Sequence, residues 1–289
     1  MIDVISILLL LLTVTFATGR NLLSKNISGF TFGNKSFFLI QVYIFISGGI
    51  ILAVFTKFEA VATLTIVYAF SYALFLILAQ WFYTIALGFG KISICSTIYS
   101  MGFILPTLSG TIFWNEKFTL FDLLGVGCVV IAIIVSGVNK TITNNVQNKN
   151  KYFVPILIAM LSSGGLGIIQ KLQQKSPCNE QKGMFVMIAF FISGIISFLF
   201  YMFAKEGTQK TYKKDNFTAG GVGICFGCCN IINTTLAGKL DSALFFPLQN
   251  ISVILLSIVL SRLILKERLG KKELFVLLFG AIAIVLLNI

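Results

Sequence analysis

Apolar runs of near-constant length, broken by short polar connections, repeat from one end of the chain to the other. Ten can be drawn, over residues 3–24, 36–56, 60–83, 92–114, 119–138, 152–172, 184–204, 217–236, 242–265 and 272–289. A helix needs about 20 apolar residues to cross a bilayer. The pattern therefore predicts an all-α integral membrane protein with ten transmembrane helices. No basic stretch precedes the first run and Asp3 is acidic, so that run reads as a retained first span rather than a cleaved signal. The longest polar interruption, Asn139–Tyr152, is too short for a soluble domain and divides the chain into similar halves.

The halves resemble each other. Gly90–Glu116 opens with Gly-Lys, runs apolar with Pro106 inside and ends on Glu; Gly238–Glu267 repeats this plan with Pro247 inside. GRNLLSK at Gly19–Lys25 takes the same place in its half as GLGIIQK at Gly165–Lys171. Five spans per half is an odd number, so a duplicated second half must enter the membrane in the opposite sense. We expect two inverted five-helix repeats, residues 1–145 and 146–289, an arrangement used by many secondary transporters.

Composition agrees with the pattern. The chain of 289 residues is 57% hydrophobic and 11% charged, against about a quarter charged in soluble domains. Its net charge of +12 sits in connections, which argues for loop charge that sets topology and against a nucleic-acid partner. Of 22 basic residues, 16 lie in the connections after spans 1, 3, 5, 7 and 9 or at the span ends beside them, and without Arg20 and Lys25 the count is still 14 to 6. By the positive-inside rule those connections are cytoplasmic and both chain ends lie outside. The six cysteines lie in or near apolar runs and indicate no disulfide framework.

Polar groups within spans are costly and normally face a cavity or a partner helix. Arg20, in the polar half of span 1, reads either as an anion-binding or gating cation or as an arginine snorkelling to the surface. Tyr68 and Tyr72, four residues apart on span 3, share a face suited to a cavity wall. Span 4 offers Ser96, Tyr99 and Ser100. Span 8 offers Asn230 and Asn233, and span 9 offers Gln249 and Asn250 at mid-span, where unpaired amides are expensive. Pro106, which removes a backbone bond to Gly102, and its counterpart Pro247 are candidate kinks. Cys225, Cys228 and Cys229 could suggest a soft metal, but the chain has no His and no second ligand set, so packing is the preferred reading. Glu116 and Glu267 read first as helix-end anchors. Gly223 and Gly227 form a small-xxx-small pair. Spans 5 and 10, almost wholly apolar, suit a scaffold or a homodimer contact.

No phosphate-binding loop, nucleophile elbow or metalloprotease motif is present, and neither an enzyme nor a cofactor is expected. FWNEKFTLFDLLGVGCVVIAIIVSG (Phe113–Gly137) and LKERLGKKELFVLLFGAIAIVLL (Leu265–Leu287) resemble the drug/metabolite transporter superfamily, in its ten-span EamA-like branch, where each half ends a fourth helix with Glu before a Gly-containing fifth. The resemblance implies alternating access through a central cavity lined mainly by helices 1, 3, 4, 6, 8 and 9. It also implies a small organic solute such as an amino acid, metabolite or drug, often exported and often coupled to protons. That pattern puts both termini in the cytoplasm, opposite to the charge count. The spans hold no evident embedded carboxylate, which leaves uniport or exchange open. The expectation is a secondary transporter in the cell membrane. The alternative is a non-transporting helper or sensor subunit with the same fold.

Overall fold

The computed structural model describes residues 3–27, 30, 33–89, 92–117, 119–137, 149–206 and 211–265, with isolated positions 275, 278, 279, 282 and 286 beyond them. Among these residues the structure is all-helical: α1 (Val4–Asn26), α2 (Lys35–Phe55), α3 (Thr63–Phe89), α4 (Ile92–Ser100), α5 (Ile104–Trp114), α6 (Leu120–Gly137), α7 (Lys149–Gln174), α8 (Lys182–Phe203), α9 (Lys213–Lys239) and α10 (Ser242–Leu265). Within hydrocarbon each backbone N–H and C=O must be satisfied inside its own segment, which is why apolar runs of this length become helices. Six of these helices, α1, α2, α3, α7, α8 and α9, have described apolar lengths sufficient to cross a membrane, and shorter apolar helices accompany them. The chain is a multi-pass membrane protein. The tenth run, at 272–289, the polar divide at 138–148 and Glu267 lie outside the described residues.

Helix ends follow local chemistry. The Asp3 carboxylate accepts from the Ser6 N–H at 3.3 Å and caps α1. Thr119 and Asp122 bond reciprocally at the start of α6, the Thr119 N–H to Asp122 at 2.8 Å and the Asp122 N–H to Thr119 Oγ1 at 3.1 Å. α5 stops at Asn115, whose φ of 51° is left-handed, a conformation Asn tolerates better than most residues.

Neighbouring helices close into a ring in the order α1, α9, α2, α8, α3, α7, α5, α10 and back to α1, with α4 joined to the α7 and α10 sector and α6 outside it. Members from the two halves of the sequence alternate around this ring. The α2–α9 crossing is close because it has no side chains in the way. A Cβ at Gly223 would overlap the Ile44 carbonyl oxygen, and one at Gly227 would come 2.8 Å from the Gly48 oxygen. In lipid, helix association rests on this kind of van der Waals approach. Gly48, which pairs with the Gly223–Gly227 stripe, has no comparable motif on its own helix.

Connections sort to two ends of the ring. At one end Gln181, between α7 and α8, accepts from the Ala62 N–H at 3.1 Å and the Thr65 hydroxyl at 2.7 Å, holding the start of α3. At the other, the Lys35 N–H donates to the Lys205 carbonyl at 3.1 Å, joining the α1–α2 and α8–α9 connections.

Candidate functional site

Span 4 is the distorted helix of the ring, tightened at its middle while its backbone stays in the right-handed helical region. α4 and α5 are separated by a single 3₁₀ turn, Met101–Phe103, placed where Pro106 has no N–H to give the carbonyl of Gly102. Gly102 lies against α7 so closely that a Cβ would overlap Ser163 Oγ, and Gly164 approaches the Gly102 oxygen from the other side. Pro247 sits inside α10, which runs without interruption from Ser242 to Leu265.

Beside this turn lies a cavity of about 100 Å³. From the first half, Arg20 and Asn21 of α1, Tyr99 and Ser100 of α4, and Pro106 of α5 reach its wall. From the second half come Ser163 and Gln170 of α7, Asn230 and Asn233 of α9, and Gln249 and Asn250 of α10. Phe103, Phe226 and Phe246 supply apolar faces. The wall is thus rich in amides and aromatic rings, and among the described residues that line it Arg20 is the cation and none is a carboxylate.

Several of these groups are fixed by partners. Tyr72 does not reach the wall but stands behind it, fully buried, donating its hydroxyl to Asn230 Oδ1 at 2.5 Å and accepting from Gln170 Nε2 at 2.8 Å. Asn230 Nδ2 in turn donates to the Phe226 carbonyl at 2.7 Å, so this amide is held at both ends. Asn233 Oδ1 accepts from Thr13 Oγ1 at 2.7 Å, linking α9 to α1. Asn250 Nδ2 bonds back to the Phe246 carbonyl at 2.8 Å. Gln249 is buried at the wall.

Arg20 is 6% exposed, so its side chain does not snorkel to a surface in this conformation. One terminal nitrogen donates to Gln80 Oε1 at 2.7 Å, while Gln80 Nε2 donates onward to Thr84 Oγ1 at 3.2 Å. The guanidinium carbon lies 3.9 Å from the Phe226 ring centroid, 5.3 Å from that of Tyr83 and 5.4 Å from that of Tyr99. These faces attract a cation but leave most of its N–H groups without an acceptor.

Tyr68 and Ser96 are placed elsewhere: Tyr68 is half-buried against the α2–α3–α8 core, and Ser96 is buried away from the wall. Gln170, Asn21 and Gln80 stand with the candidates although the sequence singled out other residues. Their signal was the one used for Asn230, an amide inside an apolar run. The described residues contain no cluster of three or more metal-ligating side chains, and Cys229 instead contacts Thr13 Oγ1 at 3.3 Å.

Glu116 is more than a helix-end marker. Its carboxylate meets Lys171 Nζ at 2.6 Å, with both side chains nearly enclosed, and accepts from the Ser242 N–H at 2.7 Å. Lys171 also donates to the Leu240 carbonyl at 2.9 Å. One ion pair thus ties together the ends of α5, α7, α9 and α10.

The comparisons with known proteins bear on this architecture. The EamA-like transporter family matches residues 151–289, the second of the two halves. That family is part of the drug/metabolite transporter superfamily, so the resemblance read from the sequence holds. A solved crystal structure superposes with a TM-score of 0.70 at 13% identity, over 97% of this chain and 95% of the other. That likeness is one of fold and spans both halves of the chain. No curated protein matches the sequence. The EamA match points to a membrane transporter of small solutes, a family not enzymatic in general.

Proposed function

We propose that this chain is a secondary transporter that moves a small organic solute by alternating access, with the cavity beside the α4–α5 turn as its substrate site. The observation that carries this reading is the wall itself: polar side chains from both halves converge on one cavity next to a helix distorted at Pro106. Transporters place substrate at such a repeat interface.

The order of the ring supports two inverted repeats, residues 1–145 and 146–289, with ten spans in all. Exchanging α1 with α7, α2 with α8, α3 with α9 and the α4–α5 span with α10 returns the same neighbours but reads the ring in the opposite direction. A two-fold axis along the membrane normal would preserve the direction. One lying in the membrane plane reverses it. Two lysines also correspond: Lys25 donates to the Leu87 carbonyl at 2.6 Å near the end of α3, and Lys171 to Leu240 just past α9. In this reading the Glu116–Lys171 end is the latched end of the pathway and, by the charge count, faces away from the cytoplasm of the cell membrane. The exposed apolar face of α6, with Leu120, Leu123 and Leu124, meets lipid or a second copy in a homodimer.

Metabolite profiling of cells with and without the protein nominates the solute, and flux of that solute into proteoliposomes tests the mechanism. Asn233→Ala and Gln249→Ala are expected to cut flux at least tenfold with the protein still folded, a loss of about 1.4 kcal/mol. Unchanged flux in both variants would remove this cavity from the pathway. A purified protein that moves nothing, but copurifies with a stable membrane partner, would favour the helper or sensor reading.

A further inference from the structure

Charge balance in the cavity narrows the class of solute, given the transport reading above. Removing a guanidinium from water is expensive unless it gains a counter-charge or a full set of acceptors. Arg20 has neither. Among the described residues no carboxylate lies within ion-pair distance of it, and its Nε is buried without a hydrogen-bond partner. Gln80, the acceptor it does have, is neutral and engages a single terminal nitrogen. Lys171, next to the wall residue Gln170 in the chain, is paired with Glu116, so among the described residues lining the cavity Arg20 is the charged one and stands uncompensated.

We infer that the cavity takes a small organic monoanion whose carboxylate, or similar planar oxyanion, pairs with Arg20. A guanidinium presents parallel N–H groups that match two oxygens at once, and Arg20 forms part of the cavity wall. The amides of Asn230, Asn233, Gln249 and Asn250 then serve the rest of the solute, as donors or acceptors to hydroxyl or carbonyl groups, while Phe226 and Phe246 cover its carbon skeleton. A cation is repelled. A zwitterion brings an ammonium for which the wall has no carboxylate, and its net charge leaves the positive charge in place.

The test uses full-length protein in lipid nanodiscs and a matched series of probes: propionate, butyrate and lactate, their amides, and propylamine and butylamine. The thermal unfolding midpoint is read against probe concentration. At least one carboxylate is expected to raise the midpoint while its amide and amine do not. Arg20→Lys, which keeps the charge but loses the fork, is expected to raise the half-protecting concentration about tenfold. Gln80→Glu, which places a carboxylate where Arg20 already has its partner, is expected to keep the protein folded and abolish carboxylate protection. Protection by no carboxylate, equal protection by amides or amines, or full carboxylate protection in Gln80→Glu would overturn the inference. Parallel flux measurements separate it from the transport reading. Flux of an amide or amine that depends on Asn233 sinks the anion assignment alone. Carboxylate protection that requires Arg20, with no flux of any probe or of the profiled solute, sinks transport alone.

Discussion

Along the α2–α8 seam, aromatic rings fill the space between helices; across the ring, where α7, α9 and α10 meet the distorted span, amides surround a cavity. On the first side Phe190 packs edge-on to Phe45 at 6.2 Å and to Phe226 at 5.3 Å, and Trp81 meets Phe38 at 5.1 Å and Phe200 at 5.2 Å. These ring contacts are apolar. On the second side hydrogen bonds join side chains of different helices, such as Thr13 to Asn233 and Gln170 to Tyr72. Close packing tolerates few alternative arrangements, whereas directional polar contacts can be broken and remade at modest net free energy. The aromatic seam is suited to be the fixed side of the molecule and the amide side to be the one that rearranges.

The largest expected effect comes from the exception to that division. Lys171→Met leaves Glu116 buried and unpaired on the side otherwise held by modest contacts, a change that costs about 3–5 kcal/mol. The double variant Lys171→Met with Glu116→Gln is expected to recover most of it in thermal or denaturant unfolding. Acid dependence gives a second readout. Burial raises the Glu116 carboxyl, but the hydrogen bond from Lys171, the Ser242 N–H and the Lys171 charge outweigh burial and hold it below the ordinary carboxylate value. A carboxylate with a lowered folded pKa contributes stability fully above its unfolded pKa and loses it as pH falls through the folded one. Stability of the wild type should therefore fall in that acid window, and Glu116→Gln should flatten the fall. An identical acid profile in Glu116→Gln would show that the pair contributes nothing.

On the seam, Phe190→Ala should cost about 3–4 kcal/mol, since it empties an aromatic site that Gly48, packed against the ring, cannot fill. Flux per folded molecule should remain near wild type. If flux instead collapses while the fold survives, the seam is not the fixed side and the comparison fails.

The two sides were not equally legible in the sequence. Span positions followed from hydropathy because bilayer thickness leaves little freedom in helix length, and α1, α2, α3, α8 and α9 lie close to the runs drawn for them. Asn230, Asn233, Gln249 and Asn250 were visible for a similar reason, as amides where lipid would penalise them. Partnership was not visible. Glu116 stands beside Lys117 in the chain but pairs with Lys171, 55 residues away, because the α5 end at Asn115 turns the chain back toward α7 and α10. Tyr68 and Tyr72 share a helical face by spacing, yet one meets the core and the other the polar network. A helix face wide enough for both spans two different neighbours, and only the packing decides which residue meets which.

Tyr72→Phe probes the boundary between the sides with the smallest expected effect. The Tyr72 ring belongs to the seam, tilted against Phe185 at 4.9 Å, while its hydroxyl belongs to the cavity network through Asn230 and Gln170. Phenylalanine keeps the ring packing, so no cavity term arises. What is lost is the donor to Asn230 Oδ1 and the acceptor for Gln170 Nε2, and a buried group left unsatisfied costs about 1–3 kcal/mol. Gln170 retains a weaker acceptor in the Asn230 carbonyl at 3.4 Å, which places the expected loss toward the low end of that range. The consequence for flux should exceed the consequence for stability, because Asn230 and Gln170 both reach the cavity wall and lose a fixed orientation together. Denaturant unfolding and proteoliposome flux on the same preparation check this. Equal proportional losses in the two would mean that the hydroxyl acts through the fold alone, and that the boundary between fixed and rearranging sides does not run through Tyr72.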